Sequence, residues 1–303
     1  MNRLNILVTG ATGFIGSNLI KKLSNSGHNL LCLARTKEKF FLKKNIKWLE
    51  SDLSSPSSYI DEVKDFKPNV VIHLSWQDIP DFSLSKSKLN LNQSIDFLSF
   101  VIDLGSCQKI LVSGSCFEYS NAKGICRETD YNFPSSYFSW AKLSLYSWLS
   151  INCAEKEIEF TWMRIFYVYG PGQRSNSLIP TILSSLKNKS RPNIKNYSNA
   201  NDYIFIDDVI DSFCMCIENK LSSGIINIGS GYSVSVLEIF KYAESIILES
   251  DVFSSEIVNN KNLSNLNVDF WADIAKAKKE INWTPKTEIE VGLNKTWLEF
   301  KNK

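Results

Sequence analysis

The chain has 303 residues, 44% of them hydrophobic and 22% charged, which predicts a folded globular protein and excludes an intrinsically disordered one. Its 34 basic and 32 acidic residues give a formal charge of +2 and alternate in short clusters, so we expect no nucleic-acid partner. Seven cysteines without a Cys-x-x-Cys pair favour a reducing, cytoplasmic setting without a bound metal, and no apolar run approaches the roughly 18 residues that span a membrane.

Apolar runs typical of buried parallel strands alternate along the chain with amphipathic stretches typical of helices. In chain order, we predict strands and helices at 4–8 (strand), 15–23 (helix), 30–33 (strand), 70–74 (strand), 89–104 (helix), 110–112 (strand), 160–167 (strand), 203–206 (strand) and 208–218 (helix). This alternation predicts an α/β fold with a doubly wound parallel sheet. A segment rich in Ser and Asn after Gly170 marks a second region, which divides the chain into 1–166 plus about 203–226 and 167–202 plus 227–303.

A glycine-rich loop separates the first predicted strand from the first predicted helix. Its glycines allow a tight turn and close approach to a pyrophosphate, which would rest on backbone N–H groups at the positive end of the helix dipole. The strand before the loop and the helix after it supply the context that such a motif requires. We therefore predict a Rossmann-type dinucleotide-binding domain with a smaller, mixed α/β C-terminal substrate domain. The predicted loop contacts are Thr9, Gly10, Thr12, Gly13, Phe14, Ile15 and Gly16.

The end of the second predicted strand bears on the choice of dinucleotide. A domain that prefers NAD usually carries an acidic residue there, which holds the ribose 2′-hydroxyl. This chain has Ala34 and Arg35, with Lys37 nearby, and a guanidinium suits a 2′-phosphate. We predict NADP(H), with NAD(H) as the alternative if Arg35 is only a solvated surface residue.

Four segments together resemble the extended short-chain dehydrogenases, the NAD-dependent epimerase/dehydratase family. They are the glycine-rich loop, Asp52-Leu53, the run 70–75 and the run 227–231. The resemblance covers nearly the whole chain, and it implies that Asp52 and Leu53 lie near the adenine. It places Leu74 and Ser75 near the coenzyme phosphates and ribose. His73 is interpreted as a residue that packs at a strand end.

The family catalyses with a Ser or Thr hydroxyl and with a Tyr and a Lys four residues apart on a helix. By this resemblance Ser115 is the hydroxyl, and Lys142 is the lysine that also holds the nicotinamide ribose. The residue four positions before Lys142 is Phe138. Positions four apart share a helix face, so Tyr137 is turned away. The predicted catalytic set is therefore Ser115, Phe138 and Lys142, with one phenol oxygen missing.

Three explanations for Phe138 are open. The chain is a Tyr-to-Phe variant made to trap a substrate, or it is a natural binding protein without turnover, or a shifted helix brings Tyr137 into use. We favour the first, because Ser115, Lys142 and the glycine-rich loop are intact while a single oxygen atom is lost.

The segments 114–119 and 166–173 resemble the branch of the family that reduces keto groups of 6-deoxyhexose nucleotides. Dehydratases of the family carry Asp and Glu where this chain has Cys116 and Phe117, neither of which exchanges a proton as a carboxyl group does. An Asn and an Arg that often serve the substrate diphosphate are absent, so Arg174, Arg191 or Lys195 is expected to supply the charge. The predicted substrate-binding residues are Ser115, Cys116, Phe117, Tyr167, Gln173, Ser177, Leu178 and Arg191.

The resemblance implies NADPH-dependent reduction of the 4-keto group of a dTDP-, CDP- or GDP-activated 6-deoxy sugar. Two alternatives remain: a nucleotide-sugar epimerase with tightly bound NAD, and a dinucleotide-binding protein without catalysis. Family members commonly dimerise through a four-helix bundle, here built from about 86–104 and 138–153. Asp202 and Asp207-Asp208 are predicted to cap the helix that follows them.

Overall fold

The computed structural model describes residues 3–36, 41, 43–120, 122–130, 133–220, 224–259 and 269–302. The strands are β1 (Asn5–Thr9), β2 (Asn29–Ala34), β3 (Ile46–Glu50), β4 (Val70–His73), β5 (Lys109–Ser115), β6 (Gly124–Cys126), β7 (Glu159–Ile165), β8 (Tyr167–Tyr169), β9 (Ala200–Asn201), β10 (Tyr203–Phe205), β11 (Gly224–Ile228), β12 (Val234–Ser235) and β13 (Asp269–Ala272). The helices are α1 (Phe14–Leu23), α2 (Ile60–Phe66), α3 (Leu84–Asp103), α4 (Tyr137–Glu155), α5 (Leu178–Lys187), α6 (Ile206–Glu218), α7 (Val236–Leu248), α8 (Val252–Asn259), α9 (Ala275–Ile281) and α10 (Ile289–Phe300).

Seven parallel strands form the main sheet in the order β11-β7-β5-β4-β1-β2-β3. The chain runs outward from β1 in one direction through β2 and β3, and in the other through β4, β5, β7 and β11. This reversal beside β1 is the topological switch point at which doubly wound sheets bind ligands, beyond the carboxyl ends of the strands. The predicted α/β, Rossmann-type class is confirmed.

Both faces of the sheet are buried, which explains why its inner strands are apolar at successive positions. Alternate residues of a strand point to opposite faces, so Ile6 and Val8 of β1 enter one apolar cluster and Leu7 enters another. Helices α1 and α6 pack together on the first side, and α3 and α4 pack together on the second. No helix in the described part of the chain has the length and apolarity needed to cross a membrane.

A smaller sheet has the mixed order β12-β9-β13-β6, and β8 and β10 form a separate parallel pair. The carboxylate of Asp202 joins these parts, because it accepts hydrogen bonds from the backbone N–H groups of Ser230, Gly231 and Ala272 at 2.6, 3.0 and 3.1 Å. The predicted capping role of Asp202 is therefore wrong. The division into 1–166 plus about 203–226 and 167–202 plus 227–303 remains a proposal, and β6 reaches from the first of these parts into the smaller sheet.

The predicted strand at 160–167 is divided in two. Phe166 N donates to the Ile228 carbonyl, whereas Tyr167 N donates to the Asp202 carbonyl, so the chain leaves the main sheet between them. The strand β3 was not predicted. It is one of the two edge strands of the main sheet, and its mixture of Lys47, Glu50 and apolar residues lacks the continuous apolar run of a central strand.

Candidate coenzyme site and active site

The glycine-rich loop lies at the carboxyl end of β1 and leads into α1. Gly10 has φ +66°, and a Cβ there would lie 2.9 Å from the Leu74 carbonyl carbon and from Ser75 N. A Cβ on Gly16 would lie 2.2 Å from the Gly10 carbonyl oxygen. Gly13 caps α1 without a side-chain hydrogen bond, so the first backbone amides of the helix face the loop. The loop is thus a cradle that only glycines allow, and it suits a pyrophosphate.

The close contact at Gly16 gives a testable prediction. The new Cβ in Gly16→Ala forces the loop to open, and overpacking of this kind costs about 1–3 kcal/mol. We therefore expect the affinity for the coenzyme to fall about tenfold or more. Calorimetric titration measures the affinity. The control is Gly27→Ala, where φ is +80° but no atom lies within 4 Å of the new Cβ, and it should leave the affinity unchanged. Equal affinities in the wild type and Gly16→Ala would contradict the assignment of the cradle.

On one side of the loop is a cavity of about 290 Å³, which we call the adenosine-side cavity. Among its lining residues are seven of the predicted coenzyme contacts: Gly10, Thr12, Gly13, Arg35, Leu53, Leu74 and Ser75. Two other predicted contacts, Thr9 and Asp52, do not line this cavity. Thr9 is fully buried and bonds His73, and the Asp52 carboxylate accepts from the N–H and hydroxyl of Ser54, which lower the pKa of Asp52.

Arg35 is an exposed residue at the mouth of this cavity, and its Nη1 donates to Gln77 Oε1 at 3.0 Å. Lys37 lies outside the described residues. The opposite wall contains Asn90 and Gln93 of α3, which sequence reasoning missed, and they hold Gln77 through bonds of 2.6 and 2.9 Å. The signal was present in the sequence, since polar residues recur at helical spacing on the buried face of α3.

On the other side of the loop is a cavity of about 580 Å³, which we call the catalytic-side cavity. It brings together Ser115 at the end of β5 with Phe138 and Lys142 of α4. Phe14, Ile15 and Gly16 line it at the start of α1. The two cavities share Gly10, Gly13, Leu74 and Trp76, so they form one path across the switch point of the sheet.

Phe138 faces this cavity, and its ring is almost entirely surrounded by other rings. It is 4% exposed, with ring centroids 4.7 Å from Phe82, 5.6 Å from Trp76 and 6.2 Å from Phe117. The register of α4 is fixed by Ser136, whose hydroxyl accepts from Ser139 N at 3.1 Å.

Tyr137, in contrast, is 54% exposed and lines a different surface depression with Trp140. It does not line the catalytic-side cavity. A shifted helix that places Tyr137 at the catalytic position is therefore wrong for this structure. The cap at Ser136 fixes a register in which Phe138, and not Tyr137, faces the cavity.

Lys142 is 4% exposed, and its Nζ donates to the Ser113 carbonyl at 2.8 Å. Burial lowers the pKa of Lys142 to about 7, and the charge of Glu118 opposes that shift.

His73, at the end of β4, is hydrogen-bonded between Thr9 and Ser94, and burial lowers its pKa to about 3. His73 is thus neutral and structural, as predicted.

The pKa of Lys142 has a consequence for stability. Its pKa in the folded chain lies below the ordinary 10.5, so between pH 7 and 10.5 the unfolded chain binds more protons at this site. Burying the charged ammonium costs stability; this cost is absent above pH 10.5 and grows as the pH falls to 7. Compared with Lys142→Met, the wild type should gain up to about 1.4 kcal/mol of unfolding free energy per pH unit between pH 7 and 9. Urea unfolding measures this, and a difference that is constant with pH would contradict it.

Beneath Ser115 lies a buried ion pair between Glu118 and Arg164. The carboxylate of Glu118 is inaccessible to solvent, and it accepts from Arg164 Nε at 2.8 Å, from Trp162 Nε1 at 3.0 Å and from Ser115 N at 2.8 Å. Glu118 therefore positions the backbone of Ser115 and does not reach a sugar.

The predicted substrate-binding residues are only partly brought together. Ser115 lines the catalytic-side cavity, Phe117 contacts Phe138, and the ring of Tyr167 is 5.8 Å from that of Phe117. Five other predicted residues do not line the cavity. Cys116 is buried, and the side chain of Gln173 donates to the Val168 carbonyl. Ser177 and Leu178 lie at the start of α5, and Arg191 is exposed beside Tyr197. The chain turns Cys116 inward in the short helical turn after β5. Of the three expected cations, Arg174 lines the cavity and donates to the Ile79 carbonyl.

Comparison with known proteins identifies the family of the chain. The sequence profile described as the NAD dependent epimerase/dehydratase family matches residues 6–229. The chain belongs to the NAD-dependent epimerase/dehydratase family. Similar curated proteins include dTDP-4-dehydro-6-deoxyglucose reductase of Escherichia coli, at 24% identity over 96% of this chain and 95% of the relative. UDP-glucose 4-epimerase of Mycolicibacterium smegmatis is also 24% identical, over 99% of both chains.

Solved structures of this family share the fold. UDP-glucose 4-epimerase from Thermotoga maritima, solved with UDP-glucose, has a TM-score of 0.84 and 23% identity, and the match covers 98% of each chain. UDP-glucuronic acid 4-epimerase from Bacillus cereus, solved with NAD, has a TM-score of 0.81 and 22% identity, covering 98% of this chain and 96% of the other. Identities this low establish the fold alone.

The residues present in this member of the epimerase/dehydratase family fit a dinucleotide. The cradle around Gly10 and Gly16 excludes side chains, and open cavities lie on both sides of it. Within the described ranges, no group of three His, Cys, Asp or Glu side chains is placed to hold a metal ion. One departure from the family pattern is Phe138, which leaves the catalytic-side cavity without a phenol at that position.

Proposed function

We propose that this chain binds NADP(H) and a nucleotide-activated 6-deoxy sugar, and that its site is built to reduce the 4-keto group of a dTDP-, CDP- or GDP-linked sugar. The observation that carries the proposal is that Ser115 and Lys142 line one cavity, which continues past the glycine cradle into a second. Two relatives support the reaction class: dTDP-4-dehydro-6-deoxyglucose reductase, and CDP-abequose synthase of Salmonella muenchen at 22% identity over 96% of both chains.

The coenzyme supplies a hydride for the keto carbon when it is bound. The hydroxyl of Ser115 donates a hydrogen bond to the sugar carbonyl oxygen and so stabilises the negative charge that develops there. Lys142 holds the nicotinamide ribose with its N–H groups. The remaining task, delivery of a proton to the oxygen, belongs to a phenol at position 138, and Phe138 lacks it. In this proposal the chain binds and orients both ligands but turns over slowly.

Stoichiometry tests the reaction class. With a dTDP-4-keto-6-deoxyhexose, a reductase consumes one NADPH for each alcohol formed. The epimerase alternative is favoured by the similarity to UDP-glucose 4-epimerase. An epimerase would interconvert two sugar nucleotides with no net change in NADPH absorbance, and that result would overturn the reductase proposal. A protein without catalysis would bind coenzyme and leave both reactants unchanged even as Phe138→Tyr.

The preference for NADP(H) rests on Arg35, which lies at the mouth of the adenosine-side cavity. Since hydrogen bonds to charged groups contribute about 1.5–3 kcal/mol, Arg35→Gln should weaken NADPH binding about 10- to 100-fold and leave NADH binding nearly unchanged. Arg3→Gln, an exposed arginine just before the amino end of β1, is the matched control. If the wild type binds NADH as tightly as NADPH, the preference is wrong and NAD(H) is the coenzyme.

We also propose a homodimer through a four-helix bundle formed by α3 and α4 of two copies. These helices pack against each other and expose Leu89, 41% accessible, and Ile151, 60% accessible. The ring of Tyr146 packs against Phe160 and Trp162, so Tyr146 is not included in the proposed contact. Light scattering that gives the mass of a single chain would contradict this proposal.

The seven cysteines are free thiols, which supports a cytoplasmic location.

A further inference from the structure

Trp76 lies at the junction of the two cavities and was not among the predicted site residues. It follows β4 and lines both the adenosine-side and the catalytic-side cavity. The other shared lining residues are two glycines of the loop and Leu74. Trp76 is therefore the largest side chain at the point that a dinucleotide spanning both cavities has to pass.

The indole of Trp76 covers the ammonium of Lys142. Lys142 Nζ lies 4.0 Å from the centroid of the indole, and the ring also meets Phe138 edge to face at 5.6 Å. An ammonium has three N–H donors, and one is used on the Ser113 carbonyl. Because Lys142 is almost fully buried, the charged form of its side chain is attracted to the ring by the stronger, desolvated kind of cation–π interaction.

The backbone that carries Trp76 is anchored. Gln77 N donates to Asn90 Oδ1 at 2.6 Å, and the Gln77 side chain donates to Gln93 at 2.9 Å. Asp78 adopts φ +61° and forms an ion pair of 2.6 Å with Lys86. On the other side of Trp76, Ser75 N donates to Thr9 Oγ1 at 3.3 Å. With the backbone held on both sides, we expect the indole to leave Lys142 by rotating about its own side-chain bonds.

We propose that Trp76 is a positioning residue that covers Lys142 in the free protein and has to rotate away before a dinucleotide can engage that lysine. The inference rests on the proposed function, in which Lys142 holds the nicotinamide ribose. When a ligand binds only to a minor open conformation, the apparent affinity is the intrinsic affinity multiplied by the fraction of the protein in that conformation. The ring therefore weakens coenzyme binding, and it does so only for ligands that reach past it.

The test compares a whole coenzyme with its adenosine half. We measure by calorimetry the dissociation constants of NADPH and of 2′,5′-ADP, which lacks the nicotinamide half of the coenzyme, in the wild type, Trp76→Phe and Trp76→Leu. We expect NADPH to bind about five- to thirtyfold more tightly to Trp76→Leu, with a smaller gain in Trp76→Phe, because tryptophan binds cations best. The affinity for 2′,5′-ADP should not rise in either variant, because Lys142 does not line the adenosine-side cavity, whereas Trp76 does. Trp148→Phe, on α4 and outside both cavities, is the control and should change neither constant.

Unchanged or weaker NADPH binding in the variants, with 2′,5′-ADP binding retained, would overturn the inference and would make Trp76 a simple packing or stacking residue. If Trp76→Leu does not fold, Trp76→Phe decides in the same way. Absence of coenzyme binding by the wild type would instead refute the proposed function itself. If Trp76 had only a structural role, its substitution would not strengthen the binding of NADPH without also strengthening that of 2′,5′-ADP.

Discussion

Adding one oxygen atom at position 138, as Phe138→Tyr, is expected to raise the turnover of a 4-keto sugar nucleotide by about 10²- to 10⁴-fold, the usual contribution of a positioned proton donor. Phe138 already lines the cavity that contains Ser115 and Lys142, so the phenol of Phe138→Tyr would be presented to the same space. A neighbouring ammonium lowers the pKa of a phenol and suits it to proton exchange. The measurement is the initial rate of NADPH oxidation at saturating sugar nucleotide.

Two controls separate this effect from a general one. Tyr137→Phe removes the exposed hydroxyl of the neighbouring residue, and it should leave the rate unchanged both in the wild type and in Phe138→Tyr. Coenzyme affinity should be similar in the wild type and Phe138→Tyr, because the hydroxyl adds nothing to the glycine cradle. A gain in turnover supports the hypothesis that the parent enzyme carries tyrosine here. No gain, with coenzyme binding intact, would discard that hypothesis and favour the binding protein without catalysis.

Glu118→Ala is expected to lower the free energy of unfolding by about 3–5 kcal/mol, because it leaves the buried guanidinium of Arg164 without its counter-charge. Arg164 is 2% exposed, and its Nη1 already has no hydrogen-bond partner among the described residues. The substitution also removes the acceptor for Ser115 N and Trp162 Nε1. Urea unfolding of the purified chain measures the change.

The matched control for this substitution is Glu62→Ala, which breaks the exposed pair with Lys47. Exposed ion pairs contribute at most about 1 kcal/mol, so the two variants should differ severalfold. Glu118→Gln retains an acceptor for Ser115 N and should fall between them. A loss in Glu118→Ala no larger than in Glu62→Ala would contradict the buried network as the support of Ser115.

What the sequence predicted best were features with local causes. The loop from Thr9 to Gly16 is recognisable because strand, turn and helix follow one another directly, and the structure forms its cradle from those glycines. The inner strands were predicted because helices bury both of their faces and leave continuous apolar runs. The spacing between Phe138 and Lys142 needed only the geometry of one helix, and both line the catalytic-side cavity.

Contacts between distant segments could not be predicted. Asp208 was expected to cap α6, but its carboxylate accepts from Lys286 N and Thr287 N, both at 3.0 Å, across the fold. Trp76 meets Lys142 only because the ends of β4 and α4 approach each other in space, although 66 positions separate them in the chain. Nothing local distinguishes either residue from an ordinary helix cap or an ordinary packing tryptophan.

The central claim is that a pyridine dinucleotide rests on the glycine cradle between the two cavities. Calorimetric titration of the unmodified chain with NADPH and with NADH tests it most directly. We predict saturable binding of one coenzyme per chain, tighter for NADPH, and strongly weakened in Gly16→Ala. Absence of measurable binding for both coenzymes, in protein that unfolds cooperatively, would contradict it.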